Sequence, residues 1–360
     1  MTASTDFIVN RTNLRESAFV ATQLHELAPG QILLHVAKFA LTANNITYGA
    51  AGDTIGYWKF FPAKEGWGRI PVWGFADIVA SKNDALSVGE RIYGYFPIST
   101  HLIVDAAKIT PSGFIDGATH RAALPAVYNQ YQRVAADPSH KRGSESELAL
   151  FRPLFITSFL IDDFLADSDF FGARDVVLAS ASSKTALGLA QLLHDHRKGQ
   201  AKVIGLTSPG NVAFVERTGY YDRVAPYGEL SKLDACSPTL LVDFAGDAKL
   251  LAAIHGHFAD QLKYSCSVGA THWEGMGRAH ALPGAKPVFF FAPDRVKKRL
   301  ADWGGAGFAT RTGTALAEFI DSAKKWLHLV EGKGQGAIES AYLGFVNGKT
   351  NPAEGHILSL

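Results

Sequence analysis

DVVLASASSKTALGLAQLLH, residues 175–194, has the pattern of a strand, a tight loop and a helix. Its first residues form a short apolar, β-branched run, which is typical of a strand buried on both faces of a parallel sheet. Small and hydroxylated residues follow, among which Ser182 or Ser183 can cap a helix. We therefore expect a helix to begin at the carboxyl edge of the sheet, where its free N–H groups and dipole favour an anion, most often the phosphates of a nucleotide. An ordinary turn between a strand and a helix is the alternative.

The segment AKVIGLTSPGN, residues 201–211, repeats the strand pattern and reaches the position at which a dinucleotide site contacts a ribose. NAD sites usually place Asp or Glu here, whereas NADP sites leave the position neutral or basic, because a carboxylate repels the 2′-phosphate. The strand ends in Thr207 and Ser208, and Asn211 follows. These neutral, hydroxyl-rich residues favour NADP and are candidate cofactor contacts.

The loop before the helix lacks the glycines of the G-x-G-x-x-G fingerprint. Ser183, Lys184 and Ala186 stand where glycines would let the backbone approach a pyrophosphate. The run from Ser183 to Thr185 also lacks the glycines of a nucleoside-triphosphate loop. The candidate phosphate-binding residues are those at the helix start: Ser182, Ser183, Lys184 and Thr185. The missing glycines keep a second hypothesis open, in which the protein has lost hydride transfer and serves as a binding or sensory subunit.

Composition and charge exclude several classes of function. The chain has 360 residues, enough for two domains, and its 35 Lys and Arg nearly balance its 34 Asp and Glu. We therefore expect no nucleic-acid or membrane partner, but a small-molecule substrate. The sequence has no signal-peptide pattern and no long apolar run, which predicts a cytoplasmic protein. Its two cysteines, Cys236 and Cys266, lack metal-ligand spacing and are predicted to be reduced core residues.

The predicted secondary structure differs between the first and the later part of the chain. Residues 7–120 are a series of short β-like runs between turns, which predicts a compact β-barrel. From residue 175 to 270, strands alternate with helices, which predicts a doubly wound parallel sheet. Two further buried strands, ending near residues 246 and 269, should line the same crevice with their carboxyl ends. Candidate contacts at these ends are Phe244, Ala245, Gly246 and Gly269.

The order of these segments resembles the medium-chain dehydrogenase/reductase superfamily, in its zinc-independent quinone-oxidoreductase and enoyl-reductase branch, and within it an uncharacterised subfamily. The resemblance spans most of the chain. The matching segments are PGQILLHVAKFALTANNITYG (29–49), LSVGERIYGYFPISTHLIV (86–104), VVLASASSKTALGLAQLL (176–193) and KVIGLTSPGN (202–211). The fold that this resemblance implies is α/β, a GroES-like β-barrel domain plus a Rossmann domain with a doubly wound parallel sheet.

The resemblance also implies domain bounds. The barrel domain, which carries the substrate site, is expected at residues 1–125, and the cofactor domain at 126–290 with a polar insertion near 135–147. Residues 291–360 are expected to return to the barrel, the last of them as a closing strand. The stretch around residues 122–131 resembles the first helix after the barrel.

The activity implied by the resemblance is hydride transfer between NADPH and a small carbonyl, quinone or activated alkene, in a cleft between the domains. By the same resemblance, Thr157 reaches the nicotinamide, Tyr227 lies beside the adenosine, and the protein is a homodimer. Catalytic zinc is not expected, because the barrel stretch from Val72 to Ala76 has no Cys nearby.

The active-site loop departs from the family pattern, since Thr42 and Ala43 replace the usual Asn-Pro. Tyr48 and Tyr57, in or after this loop, are candidate proton donors, and Asn45 is a candidate polar orienting residue. Tyrosines that only form a wall are the alternative. The histidine pairs at residues 194 and 196 and at 255 and 257 are predicted to be surface residues.

Overall fold

The first part of the chain forms a closed antiparallel barrel. The computed structural model describes residues 2–54, 56–138, 140–141, 143–268 and 282–360. Its first elements are β1 (Ala3–Asn10), β2 (Ser17–Gln23), β3 (Gln31–Leu41), α1 (Ala43–Ala50), β4 (Trp67–Gly68), β5 (Pro71–Ser81), β6 (Arg91–Pro97), β7 (His101–Ala107), β8 (Gly113–Asp116) and β9 (Gln130–Arg133). Strands pair in the order β3-β5-β6-β9-β8-β7, and β7 pairs back to β3. The predicted GroES-like barrel is therefore confirmed.

Alternating side chains fill the barrel. On β3, Ile32, Leu34 and Val36 are buried and point to one side, as the two-residue period of a strand requires. Ile32 stands opposite Val104 of β7, which places apolar residues face to face across the closing pair of strands. Burying each such side chain stabilises the fold by about 1.5–3 kcal/mol.

The helix expected around residues 122–131 does not form. The chain makes two short 3-10 turns, Thr119–Arg121 and Ala126–Asn129, and then continues as β9, which pairs with β6 and β8. Pro125 explains part of this difference, because it disfavours a helical conformation of the preceding residue and has no N–H to donate. The unpaired edges of β6 and β8 explain the rest, since β9 closes the barrel.

The second part of the chain forms a parallel sheet with helices. Its elements are α2 (Glu145–Asp167), β10 (Asp175–Ala179), α3 (Lys184–His196), β11 (Lys202–Thr207), α4 (Val212–Thr218), β12 (Arg223–Pro226), β13 (Thr239–Asp243), α5 (Ala248–Phe258), β14 (Leu262–Ser267), β15 (Pro287–Phe289) and α6 (Ala292–Ala323). The strand order is β12-β11-β10-β13-β14-β15, and all pairs are parallel. This order confirms the predicted Rossmann sheet, with its switch point between β10 and β13.

The last part of the chain returns to the barrel. It forms β16 (His328–Lys333), α7 (Gln335–Val346) and β17 (Glu354–Ser359). The closing strand β17 pairs antiparallel with β3, and β16 adds to the outer side of β17 in parallel. The sequence predicted the closing strand but neither β16 nor α7.

The chain divides into two compact units, Met1–Leu150 with His328–Leu360, and Phe151–Leu327. The expected divisions at residues 125/126 and 290/291 differ from these. The first unit extends further because β9 completes the barrel, and the second because α6 packs within it. The polar segment also ends earlier than residue 147, since Glu145 begins α2 and accepts a 2.7 Å hydrogen bond from Arg91.

The two cysteines differ in burial. Cys266 is buried as predicted, but Cys236 is exposed, because it lies in the connection before β13 rather than in the core. Among the helices that the structure describes, none combines the length and the apolar character that a membrane crossing requires.

Candidate functional site

The loop between β10 and α3 is a tight turn built without glycine. Ser180 adopts a left-handed conformation with φ of 59°, which non-glycine residues rarely do. The Ser183 N–H donates to the Ser180 carbonyl at 2.8 Å, and Ser183 Oγ accepts from the N–H of Ala186 at 3.3 Å. Ser183 is therefore the N-cap of α3, and the predicted strand, loop and helix are confirmed. Lys184 and Thr185 are the first two residues of the helix and are half-buried.

Three predicted residues meet at the carboxyl ends of β10 and β11. Ser182 Oγ accepts hydrogen bonds from Asn211 Nδ2 at 3.1 Å and from Thr207 Oγ1 at 3.3 Å. Thr207 is buried, while Ser182 and Asn211 are half-buried. Ser208 lies between them in sequence and precedes the short 3-10 turn Pro209–Asn211. The two loops thus form one polar edge, and its residues Ser182, Thr207, Ser208 and Asn211 carry no charge.

Tyr227 lies beside this edge. Its hydroxyl is within hydrogen-bonding reach of Ser180, and this contact opposes the effect of burial, which raises the pKa of Tyr227. Asp243 and Asp247 add to the increase in that pKa. The phenol is therefore neutral at physiological pH and marks the side of the loop at which the adenosine contact was predicted.

The loop after β13 is held by a buried carboxylate. Asp243 Oδ1 accepts from the N–H of Ala245 at 2.9 Å and from the N–H of Gly246 at 3.2 Å. Burial raises the pKa of Asp243, and the two N–H donors work against this. Gly246 has a φ of 64°, so a side chain there would be strained. The candidates Phe244, Ala245 and Gly246 lie in this loop and are half-buried, whereas Gly269 lies outside the described residues.

Thr157 lies on α2, where the helix packs against α3. The neighbouring Ser158 donates its hydroxyl to the carbonyl of Thr185 at 2.7 Å. A Cβ atom on Gly188 would lie only 2.9 Å from Ser158 Oγ, so the glycine permits the close approach of these helices. Thr157 itself is half-buried.

The barrel unit contains a second group of candidate residues, which we call the tyrosine cluster. The cluster consists of Tyr48 on α1, Tyr57 in the 3-10 turn Tyr57–Lys59, Tyr95 on β6 and Tyr128 before β9. The ring centroids of Tyr48 and Tyr57 are 4.5 Å apart, and those of Tyr95 and Tyr128 are 4.8 Å apart. The structure therefore brings both predicted tyrosines together and adds two that sequence reasoning missed.

The phenols of the tyrosine cluster are neutral, and two of their hydroxyl groups are in hydrogen-bond contact. The hydroxyls of Tyr57 and Tyr128 are 3.0 Å apart. Burial raises the pKa of all four phenols, and the Trp73 indole and Asn44 work against this increase at Tyr48. Neutral phenols at this position can donate protons or hydrogen bonds to an oxyanion.

Asn45 holds the loop that carries Tyr48. Its side-chain oxygen accepts from the N–H of Thr42 at 2.7 Å and from the Thr42 hydroxyl at 3.0 Å. Its Nδ2 donates to the carbonyl of Pro71 at 2.8 Å. The amide of Asn45 is therefore engaged by the protein, in the capping box that begins α1.

A buried ion pair lies next to the tyrosine cluster. Arg121 and Asp116 are 3.0 Å apart, and both side chains are almost fully buried. Arg121 Nε donates to the carbonyl of Phe60, whose ring packs against Tyr95 and Tyr128. Burial raises the pKa of Asp116, and the charge of Arg121 opposes this. Both residues escaped sequence reasoning because charged side chains are seldom expected in a core.

The histidines do not form a metal centre in the part of the chain that the structure describes, where no group of three or more His, Cys, Asp or Glu is arranged for one. His194 and His196 pair with Asp195 and Glu318 at the surface, as predicted. His255 is fully buried instead, with its ring nitrogens 2.9 Å from the Pro283 carbonyl and 3.0 Å from Ser265 Oγ. The prediction was wrong because the helix face of α5 that carries His255 packs on the sheet.

Comparison with protein families gives one match. The family model described as "Protein of unknown function (DUF2855)" matches residues 39–351. The chain belongs to the DUF2855 family. No curated protein matches this DUF2855 chain by sequence.

Solved structures match the DUF2855 chain over its whole length. They include CurA in complex with NADPH from Vibrio vulnificus, with 13% identity, a TM-score of 0.60, and coverage of 99% of this chain and 98% of that one. The yhdH oxidoreductase from Salmonella enterica in complex with NADP has 12% identity, a TM-score of 0.54 and 99% coverage of both chains. The quinone oxidoreductase from Coxiella burnetii has 12% identity, a TM-score of 0.56 and 100% coverage of both. At such identities the likeness establishes the fold, and it confirms the resemblance to quinone oxidoreductases and enoyl reductases at that level.

Proposed function

We propose that this DUF2855 protein is a zinc-independent, NADP(H)-dependent oxidoreductase that reduces a small carbonyl, quinone or activated alkene. The observation that carries the proposal is the polar edge at the carboxyl ends of β10 and β11, next to the switch point of the Rossmann sheet. There Ser182 joins Thr207 and Asn211 beside the N-terminus of α3. Such an edge offers a diphosphate the free N–H groups of a helix and offers a ribose neutral hydrogen-bonding groups.

The residues present fit the diphosphate of the cofactor. The left-handed turn that the first glycine of the fingerprint usually makes is made here by Ser180. Gly188 supplies the close packing of α3 that a later glycine usually permits. The groups proposed to contact the phosphates are those of Ser182, Ser183, Lys184 and Thr185, all half-buried at the helix start.

The ribose position supports NADP rather than NAD. Thr207, Ser208 and Asn211 carry no charge, so nothing there repels a 2′-phosphate. CurA and the yhdH oxidoreductase, which share this fold, have been solved with NADPH and NADP. Tyr227 is proposed to flank the adenosine, and Thr157 with residues 244–246 and Gly269 to contact the nicotinamide half.

The chain's own residues would orient the substrate and supply a proton. When bound, NADPH provides the hydride. Tyr48 and Tyr57 are proposed as the donors, because burial raises the pKa of each phenol and keeps it protonated. Asn45 is proposed to position Tyr48 by fixing the start of α1. A homodimer is proposed from the resemblance.

A second candidate function is that of a binding or sensory subunit without hydride transfer. The observation that favours it is the replacement of glycines by Ser183, Lys184 and Ala186 in the phosphate loop. Larger side chains there hinder the approach of a pyrophosphate to the backbone.

An assay of NADPH oxidation distinguishes the two proposed functions. The purified protein is mixed with NADPH and, in separate reactions, with a small aldehyde, a quinone and an enone, and the loss of absorbance of the reduced nicotinamide is followed. We expect oxidation of NADPH that depends on at least one of these substrates and is slower with NADH. Tight binding of NADPH without oxidation by any of the three would overturn the reductase and favour the binding subunit.

A further inference from the structure

Tyr57 and Tyr128 come from distant parts of the barrel unit and share one hydrogen bond. Their hydroxyl oxygens are 3.0 Å apart, and their ring centroids are 5.6 Å apart in an edge-to-face arrangement. Tyr57 follows the active-site loop, whereas Tyr128 lies in the 3-10 turn that leads into β9. Sequence reasoning assigned no role to Tyr128.

The contact between the two phenols affects the pKa of each. The contact with Tyr128 lowers the pKa of Tyr57, although burial raises it overall, and the same contact raises the pKa of Tyr128. A hydrogen bond stabilises the ionised form of the group that accepts it. Either hydroxyl can be the donor across this distance. When Tyr128 donates to Tyr57, the proton of Tyr57 is left for another partner.

We propose that Tyr128 is a positioning residue that donates a hydrogen bond to Tyr57 and so aims the Tyr57 proton at the substrate. This inference rests on the proposed reductase function. In the step it serves, the substrate has gained a hydride, and its oxygen, or the carbon of an alkene, takes the proton of Tyr57. The O–H bond of Tyr57 breaks, its electron pair stays on the Tyr57 oxygen, and the Tyr128 hydroxyl stabilises the resulting phenolate until water returns the proton.

The packing around the pair keeps it in place. The Tyr128 ring packs against the rings of Tyr95 and Phe60, at centroid distances of 4.8 and 5.2 Å. The rings of Tyr48 and Tyr57 are also in contact, with a centroid distance of 4.5 Å. Such ring contacts leave little room for the rotation of either phenol.

The other groups that affect titration of the pair are few among the described residues. Tyr48 is a phenol within hydrogen-bonding reach of Tyr128, and this contact raises the pKa of Tyr128 and opposes the effect of burial on the pKa of Tyr48. Tyr95 is a phenol whose own pKa burial raises. Arg121 is a buried cation that opposes this increase at Tyr95, and it is paired with Asp116. The hydroxyl of Tyr95 is buried and has no hydrogen-bond partner in the described part of the chain. Tyr95 therefore does not compete for the bond between Tyr57 and Tyr128.

The experiment compares Tyr57→Phe, Tyr128→Phe and the double variant, with Tyr264→Phe of the Rossmann unit as the matched control. Titration of the ligand-free proteins, followed by the ultraviolet absorbance of phenolate, identifies Tyr57 as the transition that Tyr57→Phe lacks. We expect Tyr128→Phe to move this transition to higher pH. Circular dichroism at each pH checks that every variant is folded. An unmoved transition in folded Tyr128→Phe would overturn the proposal.

Kinetics provides the second readout. Tyr128→Phe should lower kcat about tenfold and leave KM unchanged, and the double variant should be no slower than Tyr57→Phe. Additive losses would overturn the proposal and leave the reductase function intact. Absence of turnover by the unmodified protein would instead count against the proposed function, and the phenolate titration would still decide whether Tyr128 donates to Tyr57.

Discussion

The side-chain amide of Asn211 donates to the hydroxyl of Ser182 across 3.1 Å and ties the loop after β11 to the loop after β10. These loops end neighbouring parallel strands, so the bond lies at the edge of the sheet where nucleotides bind in this fold. Its position beside the helix start of α3 connects the proposed ribose contacts with the proposed phosphate contacts.

A carboxylate at the proposed ribose position should reduce the preference for NADPH over NADH. Asn211→Asp places a negative charge where the 2′-phosphate is proposed to lie, so NADPH should bind at least about tenfold more weakly, while NADH is affected less. Fluorescence titration with each nucleotide measures the ratio. Asn347→Asp, in the barrel unit, is the control for added charge. Equal weakening for both nucleotides would remove Asn211 from the ribose site.

The ammonium group of Lys184 should contribute to phosphate binding. Lys184→Ala is expected to weaken NADPH binding by about tenfold, because it removes a charge at the start of α3. Lys202→Ala is the matched control, since Lys202 is exposed at the opposite end of a strand in the same sheet. If the two variants have the same dissociation constant as the unmodified protein, Lys184 does not contact the cofactor.

One of the two predicted tyrosines should carry the proton transfer. Tyr48→Phe and Tyr57→Phe each remove a hydroxyl and keep the ring, so packing is preserved. We expect at least one of them to reduce kcat by about a hundredfold, the lower range for general acid catalysis. Steady-state kinetics on an active substrate measures this, and full turnover by both variants would discard both as donors.

Stability should fall in acid because of His255. Burial lowers the pKa of this imidazole, so its folded-state pKa lies below that of the unfolded chain. The unfolded state then binds more protons, and the free energy of unfolding decreases as the pH falls below about 6.5. Urea unfolding at neutral and at mildly acidic pH should show this loss. In His255→Gln the free energy of unfolding should depend less steeply on pH. The pKa of His101 is also lowered by burial, and His101 is present in both the unmodified protein and the variant. A variant with an unchanged slope would exclude His255 as a cause.

Gly188 and Gly256 should respond in opposite directions to alanine. A Cβ atom at Gly188 would lie 2.9 Å from Ser158 Oγ and 3.1 Å from the Phe155 ring, so Gly188→Ala should destabilise the protein by about 1–3 kcal/mol. Gly256 lies on α5 with no atom within 4 Å of such a Cβ, so Gly256→Ala should stabilise by about 0.5–1 kcal/mol. Thermal unfolding of both variants measures the difference, and a stabilising Gly188→Ala would contradict the packing described for α2 and α3.

Local patterns in the sequence were enough to predict the polar edge of the Rossmann sheet. The apolar run of β10 and the capping serine before α3 lie within a few residues of each other, and parallel strands bring Ser182, Thr207 and Asn211 together at one edge. Of the tyrosine cluster, the sequence predicted Tyr48 and Tyr57 but not Tyr95 and Tyr128. Tyr128 reaches Tyr57 because β9 pairs with β6 and β8, and this tertiary pairing leaves no local periodicity in the sequence.

The sequence also did not predict the burial of two polar residues, Asp243 and His255. Asp243 and His255 are satisfied by backbone groups of loops that the sequence could not place, Asp243 by the N–H groups after β13 and His255 by the carbonyl of Pro283. Their burial depends on how α5 packs on the sheet, and charge or hydropathy patterns do not contain that information.

The N-terminus of α3, built from serines and without glycine, is proposed to bind a reduced pyridine nucleotide. Titration of the purified protein with NADPH and with NADH, followed by nicotinamide fluorescence, tests it most directly. We expect a dissociation constant for NADPH on the order of micromolar and weaker binding of NADH. The absence of any response to either nucleotide would contradict it.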